Sequence, residues 1–316
     1  MSLATAVDSD VRRRFLIIHN ANAGMARQGL FRAVLDALDQ RGAHIVLHAA
    51  DSVEADTRLA RDAVASGGYD AVVAAGGDST IRGVGSGLLG TSLPMGLIPV
   101  GTGNVMAAEI GLRRRAGDIA EHLMTGPARP VYGALANGEP FFLMAGAGFD
   151  GAVITALNSS LKRCIGKSAY AAPIVTSMIE PLPHLTVDVD GREHQARWAI
   201  VTNARSYAGS FVLSPGSSVH SPELTIILFQ PRSRAELLAQ LVRIASGTLG
   251  LSPRVALIEG RKFTIRSDTP VPVQIDGERL GTTPLVVERE SRQIYLLTPP
   301  EVPQKGREEM ALKDAA

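Results

Sequence analysis

Cysteine, aromatic residues and net charge are all scarce in this chain of 316 residues. A single cysteine, Cys164, excludes an internal disulfide and a thiolate metal cage, and it fits a reducing compartment. Aromatic residues are 4% of the chain, so the cores must be mainly aliphatic. The formal net charge of +1 provides no basic excess to hold a nucleic acid backbone along a groove. We therefore expect no nucleic acid partner.

Long hydrophobic runs are also missing. The apolar run at residues 15–18 stops at His19, short of the roughly 7 to 15 apolar residues of a signal peptide. No window approaches the ~18 uninterrupted apolar residues of a membrane span. We expect a soluble, cytoplasmic protein in which any membrane contact is peripheral, at the inner face. With 45% hydrophobic and 20% charged residues, the chain can fold around hydrophobic cores, and its length fits about two domains.

The first part of the chain alternates strand and helix signals. Short apolar runs at residues 15–18, 45–47, 71–75 and 95–100 are separated by apolar residues at helical spacing. Glycine-bearing turns follow several of these runs. This alternation predicts an α/β domain over residues 1–130, with a parallel sheet covered on both faces by helices.

From about Val131 the pattern changes to short β-rich runs. These runs are separated by turn signals such as Asp190-Gly191 and Asp276-Gly277. They predict a second, largely antiparallel β domain over residues 131–298, followed by a loose polar tail at 299–316. The predicted strands are 141–144, 185–189, 198–202, 224–228, 263–265, 271–275 and 294–297, and the predicted helical interruptions are 159–179 and 237–244.

The segment Gly76-Gly77-Asp78-Ser79-Thr80 is the most informative motif. It follows an apolar strand and opens a predicted helix, where free backbone N–H groups and the helix dipole stabilise an anion. Glycine allows close approach of a phosphate, Thr80 offers a hydroxyl, and Asp78 could orient a metal-bound phosphate or a substrate hydroxyl. The alternative is an ordinary connection in which Asp or Ser caps the helix.

Two further turns favour a ligand site. Residues 20–24 follow the first strand, and Gly101-Thr102-Gly103-Asn104 follows the strand after the Gly76 motif. Parallel strands would bring all three turns to one carboxyl edge, where open α/β sheets bind ligands. We favour a shared nucleotide site over three separate structural turns.

Several familiar motifs are excluded. Residues 85–90 match a dinucleotide fingerprint by letter, but they lie within or after the helix that begins near Thr80, and no strand precedes them. Gly166-Lys167-Ser168 lacks the earlier glycine of a phosphate-binding P-loop. The seven histidines show no metal spacing, and no Ser-His-Asp set is evident. Metal hydrolysis and acyl transfer are therefore disfavoured.

Carboxylates of the second domain are the candidate bases. Asp276 and Glu278 flank Gly277, and such a pair can take the proton of a hydroxyl nucleophile, although a solvated hairpin turn has the same sequence. Asp150, two residues after Gly148, is either a helix cap or a group in the interdomain cleft.

In order and spacing, these motifs resemble the diacylglycerol kinase catalytic family, specifically its soluble bacterial lipid kinases. The resemblance covers roughly residues 15–298. It implies an N-terminal α/β nucleotide-binding domain of the NAD kinase and diacylglycerol kinase type, and a C-terminal β-sandwich. It also implies phosphorylation of a lipid hydroxyl, such as that of diacylglycerol, by ATP and Mg in the cleft between the two domains.

The resemblance assigns roles to individual positions. Glu278 matches the proton acceptor, Asp276 the acid beside it, and Asp78 a group that meets Mg through ATP. Gly148 and Asp150 are candidate lipid contacts. Together with the glycine turns, the candidate ATP contacts are Asn20, Ala21, Asn22, Ala23, Gly24, Gly76, Gly77, Asp78, Ser79, Thr80, Ile81, Arg82, Gly101, Thr102, Gly103 and Asn104.

The chain departs from the family pattern at Ala21, Ser79, Arg82-Gly83 and Ser221, where the family usually has Pro, Gly, Asn-Glu and Asp. These changes keep a second hypothesis open, a catalytically impaired relative that binds nucleotide or lipid. A kinase of NAD or another soluble alcohol is a third. The basic residues Lys162, Arg163 and Lys167 of the predicted helix either dock on a membrane or are solvated. The motifs select neither the lipid acceptor nor the oligomeric state.

Overall fold

The computed structural model describes residues 11–20, 28–157, 170–209 and 211–299. Its first part alternates strands and helices as the sequence predicts. The elements are β1 (Arg14–Asn20), α1 (Gln28–Asp39), β2 (His44–Ala50), α2 (Val53–Ser66), β3 (Ala71–Gly76), α3 (Asp78–Leu88), β4 (Met95–Pro99), α4 (Val105–Glu109) and α5 (Ala116–Thr125).

The predicted parallel sheet is confirmed. The strands lie in the order β2, β1, β3 and β4, and each neighbouring pair is parallel. Every residue of β3 and β4 is buried, which explains why both strands are continuous apolar runs in the sequence. Parallel pairing brings the ends of β1, β3 and β4 to one edge of the sheet.

The second part of the chain is mainly β-structure, again as predicted. Its elements are β5 (Ala128–Ala136), β6 (Glu139–Phe141), β7 (Met144–Ala147), α6 (Phe149–Ala156), α7 (Ala171–Ile179), β8 (Leu185–Val189), β9 (Arg192–Ala196), β10 (Trp198–Thr202), β11 (Ser206–Tyr207), β12 (Phe211–Val212), β13 (Leu224–Phe229), α8 (Arg234–Ala245), a 3₁₀ turn (Leu249–Leu251), β14 (Val255–Gly260), β15 (Lys262–Arg266), β16 (Pro272–Ile275), β17 (Glu278–Thr282) and β18 (Leu285–Leu297).

Two sheets form a sandwich in this part. One sheet has the order β14, β13, β10, β7, β16 and β17, with antiparallel neighbours. The other contains β5, β8, β15 and β18, and apolar side chains from both sheets form one buried cluster that includes Phe141, Ile226 and Phe263. The inward alternation of apolar residues along strands such as β8 creates this shared core.

The last described strand joins the two parts of the chain. β18 pairs with β15 and β5 in antiparallel fashion, and Leu296 pairs in parallel with Met95 of β4. The first sheet therefore continues from the α/β part into the sandwich. Because of this continuity, the two parts share a hydrogen-bonded sheet as well as a surface.

Some predicted segments differ from the structure or lie partly outside the described residues. The predicted strand at residues 141–144 is wrong as a single strand, because β6 ends at Phe141 and β7 begins at Met144. The described part of the predicted helix 159–179 is α7, while Cys164, Lys162, Arg163 and Lys167 lie outside the described residues, as do residues 300–316 of the predicted tail. The letter match at residues 85–90 begins inside α3, as expected.

Glycines of α3 allow close packing against α2. A Cβ atom on Gly87 would lie 2.6 Å from Cβ of Ala60 and 2.6 Å from the carbonyl oxygen of Thr57. One turn earlier, the Thr57 hydroxyl donates to the Gly83 carbonyl at 2.9 Å. Packing against α2 thus accounts for Gly87, the second glycine of the letter match at residues 85–90.

None of the helices in the described ranges combines the length and apolarity needed to span a bilayer.

We predict that Gly87→Ala destabilises the protein by about 1–3 kcal/mol, because the added methyl group overpacks the contact between α2 and α3. Gly29→Ala on α1 is the matched control, since nothing lies within 4 Å of its added Cβ. That control should be neutral or stabilising by up to roughly 1 kcal/mol. Denaturant unfolding measures both free energies, and equal effects of the two substitutions would contradict the packing argument.

Candidate active site

Two glycine turns meet at the carboxyl edge of the parallel sheet. Gly76 and Gly77 connect β3 to α3, and the Gly101 amide donates to the Gly76 carbonyl at 2.9 Å. A Cβ on Gly101 would lie only 2.1 Å from Cα of Gly77. Glycine is therefore required where the two turns touch. The first turn of α3, whose N–H groups have no intrahelical partner, opens beside this contact.

Asp78 joins the second turn to the first. Its carboxylate accepts hydrogen bonds from the amides of Val105 and Met106, each at 3.1 Å, and so caps the start of α4 from a different helix. Asn104 adopts a left-handed conformation with φ of 50° and donates from its side-chain amide to the Gly101 carbonyl at 2.7 Å. Asp78 is only partly buried and lies at the edge where ligands bind in such sheets.

The remaining candidate ATP contacts differ in their exposure. Ser79 and Thr102 are partly exposed at the turns, and Asn20 ends β1. The side chains of Ile81 and Thr80 are buried, and a Cβ on Gly76 would lie 2.2 Å from Oγ1 of Thr80. The Thr80 hydroxyl therefore lies behind the turn, which corrects the expectation that it faces a phosphate. Ala21, Asn22, Ala23 and Gly24 lie outside the described residues.

Arg82 and Glu278 form an ion pair across the two parts of the chain. Nη2 of Arg82, on α3, lies 2.6 Å from Oε2 of Glu278, the first residue of β17. The arginine side chain is 9% exposed and the glutamate side chain 40%. Four residues separate Arg82 from Asp78, so both lie on one face of α3. The ion pair thus places the candidate base one helical turn from the glycine turns.

Sequence reasoning missed Asp56. This residue of α2 is 5% exposed, and its Oδ1 has no hydrogen-bond partner among the described residues. Burial, together with the smaller effect of the negative charges of Glu278, Asp51 and Glu54, raises the pKa of Asp56 to about 7. A Cβ on Gly83 would lie 2.5 Å from Cβ of Asp56, so the glycine beside Arg82 makes room for this carboxylate. A single aspartate in a helix carries no motif that would have revealed it.

Asp276 has a different role from Glu278. Its buried carboxylate accepts the amides of Phe142, Leu143 and Met144 at 2.9, 3.0 and 2.9 Å. These bonds bend the chain between β6 and β7, which explains why the predicted strand is broken there. Burial raises the pKa of Asp276 to about 6, against the opposing effect of the three N–H donors. With its oxygens engaged, Asp276 positions the hairpin that carries Glu278.

The turn at Asp276 and Gly277 has φ of 47° and 82°, as a tight hairpin between β16 and β17 requires. The solvated-hairpin interpretation is therefore correct for the backbone, but the Asp276 side chain points inward. Glu278 follows directly at the start of β17.

Gly148 and Asp150 lie inside the second part of the chain. Asp150 is buried, and its carboxylate accepts hydrogen bonds from the Trp198 indole at 3.0 Å and the Gln274 amide at 2.8 Å. Burial raises its pKa to about 6. Gly148, with φ of 105°, ends the turn before α6, where a Cβ would lie 3.0 Å from the carbonyl oxygen of Arg197. These contacts place Asp150 in the core, away from a cleft surface.

The residues present fit Mg held mainly by nucleotide phosphates. In the described ranges, no three His, Cys, Asp or Glu side chains cluster tightly enough to hold a metal by themselves. Mg commonly binds through one or two carboxylates together with substrate phosphates. The partly exposed Asp78, at a backbone cradle that a Cβ would fill, suits that arrangement.

Comparison with known families agrees with this architecture. A family model described as the diacylglycerol kinase catalytic domain matches residues 14–134, and a YegS C-terminal NAD kinase beta sandwich-like domain matches residues 144–298. The fold and these two models define an ATP-dependent lipid kinase. The chain belongs to the diacylglycerol kinase family of bacterial lipid kinases.

Individual relatives are distant. The chain is 28% identical over 305 residues to a diacylglycerol kinase of Bacillus subtilis. The matched region covers 92% of this chain and 97% of the relative. It is 26% identical over 238 residues to an uncharacterized protein of Synechocystis sp., covering 73% of this chain but only 55% of that protein. A solved structure from Bacillus anthracis, provisionally assigned as a diacylglycerol kinase, shares the fold with a TM-score of 0.76 at 18% identity, covering 95% of this chain and 99% of that one.

We predict that Asp56→Asn stabilises the protein at pH 8 by on the order of 2 kcal/mol and has little effect near pH 4. The folded pKa of about 7 exceeds the roughly 3.9 of an unfolded aspartate. The folded state therefore binds the extra proton between these values, and stability falls as pH rises through that window. The substitution removes this loss.

Thermal unfolding at the two pH values measures the effect. Asp62→Asn, which changes an exposed aspartate on the same helix, is the matched control. A stabilisation of Asp56→Asn that is equal at both pH values would show that charge burial at Asp56 is not its cause.

Proposed function

We propose that this lipid kinase transfers the γ-phosphate of ATP to a hydroxyl group of a lipid such as diacylglycerol, with Mg. The observation that carries the proposal is the meeting of Glu278 with Arg82, because it brings a half-exposed carboxylate of the sandwich to the helix that begins at the glycine turns. Phosphoryl transfer needs such an arrangement, with a phosphate-binding turn on one side and a proton acceptor on the other.

The glycine turns supply the ATP side of this proposal. The first turn of α3, whose N–H groups have no intrahelical partner, opens at the edge where phosphates are stabilised without side-chain charge. When bound, Mg supplies positive charge that neutralises the transferring phosphoryl group. Asp78 would hold it while its other contacts keep the start of α4 in place.

Glu278 is the proposed proton acceptor on the lipid side. It takes the proton of the attacking hydroxyl as the bond between that oxygen and the γ-phosphorus forms and the bond from the γ-phosphorus to the bridging oxygen breaks, releasing ADP. Arg82 acts as a positioning residue, because its buried guanidinium fixes the carboxylate next to α3. Asp276 positions the same hairpin by accepting hydrogen bonds from three backbone amides.

The proposed partners are ATP and a lipid substrate, with peripheral contact to a membrane at the inner face and no nucleic acid. Incubation with labelled ATP, Mg and mixed micelles tests the activity. Diacylglycerol, phosphatidylglycerol and a sphingoid base serve as separate acceptors, and NAD serves as a soluble alternative. Label in a lipid supports the proposal, whereas label in NAD alone, or in no acceptor, would overturn it.

A second candidate function is binding of nucleotide or lipid without turnover. The departures from the family pattern at Ser79, Arg82 and Gly83 favour it, because these residues lie at the glycine turn and at the contact with Glu278. Calorimetry that detects ATP binding, combined with no label transfer to any acceptor, would select this candidate over the kinase.

We predict that Glu278→Gln lowers kcat by roughly two to four orders of magnitude, the usual effect of losing a general base. The Kd for ATP should change little, because Glu278 lies on the acceptor side. Glu288→Gln is the matched control, since Glu288 pairs with Lys262 on the surface of the same sandwich. Steady-state kinetics with saturating lipid measure the change, and near-normal turnover would exclude Glu278 as the base.

Arg82→Gln should lower kcat about tenfold in the wild-type background and add nothing in the Glu278→Gln background. The reason is that Arg82 acts through the carboxylate it holds, so the two substitutions couple. The four kcat values of this double-mutant cycle measure the coupling. Additive losses would mean that Arg82 contributes independently of Glu278.

A further inference from the structure

Two neighbouring helices of the second part expose large apolar side chains. Val175 and Ile179 on α7, Leu238 and Val242 on α8, and Leu251 in the 3₁₀ turn are between 49% and 75% exposed. We call these five residues the apolar helix face. Soluble domains rarely expose a group of large apolar side chains on adjoining elements without a partner.

Beyond Arg234, the exposed residues of both described helices are uncharged. Between Arg234 and Ser246, the exposed residues of α8 are Ala235, Leu238, Ala239, Val242 and Ala245, which recur at spacings of three and four residues. On α7 they are Ala171, Ala172, Val175, Thr176 and Ile179. The opposite faces, such as Leu237 and Ile244 of α8, pack into the core. Each helix therefore has an apolar surface on both sides.

The two helices are held as one surface. They pack against each other, and Nη2 of Arg234 donates to the carbonyl oxygen of Ile179 at 2.5 Å. Ser233 caps α8 by accepting the Glu236 amide at 3.2 Å, which fixes where that helix begins. The relative orientation of the exposed side chains is thus set by direct contacts.

Arginines lie at the end of this surface where the two helices meet. Arg197, Arg232 and Arg234 line one pocket, together with the carboxylate of Glu180. Arg232 and Arg234 are exposed at the start of α8, and the Arg234 guanidinium reaches the end of α7. Further along α8, Glu236 is engaged by the Arg232 amide at 2.8 Å and the Arg254 side chain at 4.0 Å. We call Arg197, Arg232 and Arg234 the cationic rim of the apolar helix face.

We propose that the apolar helix face docks on the surface of an anionic lipid bilayer, an inference that rests on the proposed function because the acceptor is a lipid. Apolar side chains would enter the boundary between headgroups and acyl chains, while the arginines meet the anionic headgroups. A second copy of the chain fits less well, because a symmetric contact would bring one cationic rim against another.

Contacts connect this surface to the glycine turns. The β11–β12 hairpin packs on both α4 and α8, and Glu109 of α4 accepts the amides of Arg205 and Ser206, each at 3.0 Å. The helix α4 begins directly after the turn 101–104. Docking through the apolar helix face would therefore hold the ATP-binding edge at a fixed place relative to the bilayer.

Vesicle flotation tests the proposal. The intact chain should float with vesicles of phosphatidylcholine and phosphatidylglycerol, and less with phosphatidylcholine alone. The pairs Val175→Ser with Ile179→Ser, and Leu238→Ser with Val242→Ser, should each weaken binding at least about tenfold, because they remove apolar area from the buried layer. Val46→Ser with Leu47→Ser is the matched control, since these adjacent apolar side chains are exposed on β2, in the other sheet region.

Thermal unfolding shows whether each double variant still folds. Because the two double variants alter different helices, one still tests the proposal if the other does not fold. Flotation of a folded variant at the wild-type level, or no flotation of the wild type, would overturn the proposal. So would a dimer seen by light scattering that the substitutions dissociate without changing flotation. Phosphorylation of a short-chain diacylglycerol in monomeric solution, unchanged in these variants, tests the proposed function separately.

Discussion

The buried carboxylate of Asp276 is the contact on which the candidate site depends. Three consecutive backbone amides at residues 142–144 donate to it, so it satisfies polar groups that the bend between β6 and β7 would otherwise bury without partners. The same residue occupies the tight turn that places Glu278 beside α3. One side chain therefore sets both a break in the central part of the sandwich and the location of the candidate base.

Much of the fold is predictable because its determinants are local. Continuous apolar runs ending in glycine predict β3 and β4, since strands buried on both faces have no polar alternation. The convergence of the glycine turns follows from parallel pairing alone. The hairpin at Gly277 likewise follows from a dipeptide that tolerates positive φ. These elements are predictable because residues that are close in the sequence determine their structure.

The electrostatics of the site could not be predicted, because they arise between distant positions. Arg82 and Glu278 are 196 residues apart, and nothing in either segment indicates the other. Asp56 is packed against α3 only because Gly83 lets α2 approach closely, and there the charge of Glu278 acts on it. For Thr80 the sequence predicts a contact that the structure does not show: its position in the motif suggests a hydroxyl that faces a phosphate, but the side chain is buried. Side-chain direction at a helix start depends on packing that the motif does not encode.

The parallel contact of β18 with β4 has a consequence for how the protein is made. During synthesis, β4 is complete about two hundred residues before β18, its second neighbour in the sheet, has been made. Until then the nascent α/β part presents an unpaired, fully apolar strand edge, which is the kind of surface that pairs with other chains. Because non-local strand pairing is slow, completion of the first sheet must await β18, near the end of the described chain. Conditions that delay the folding of the late strands should therefore favour aggregation through the exposed edge of β4.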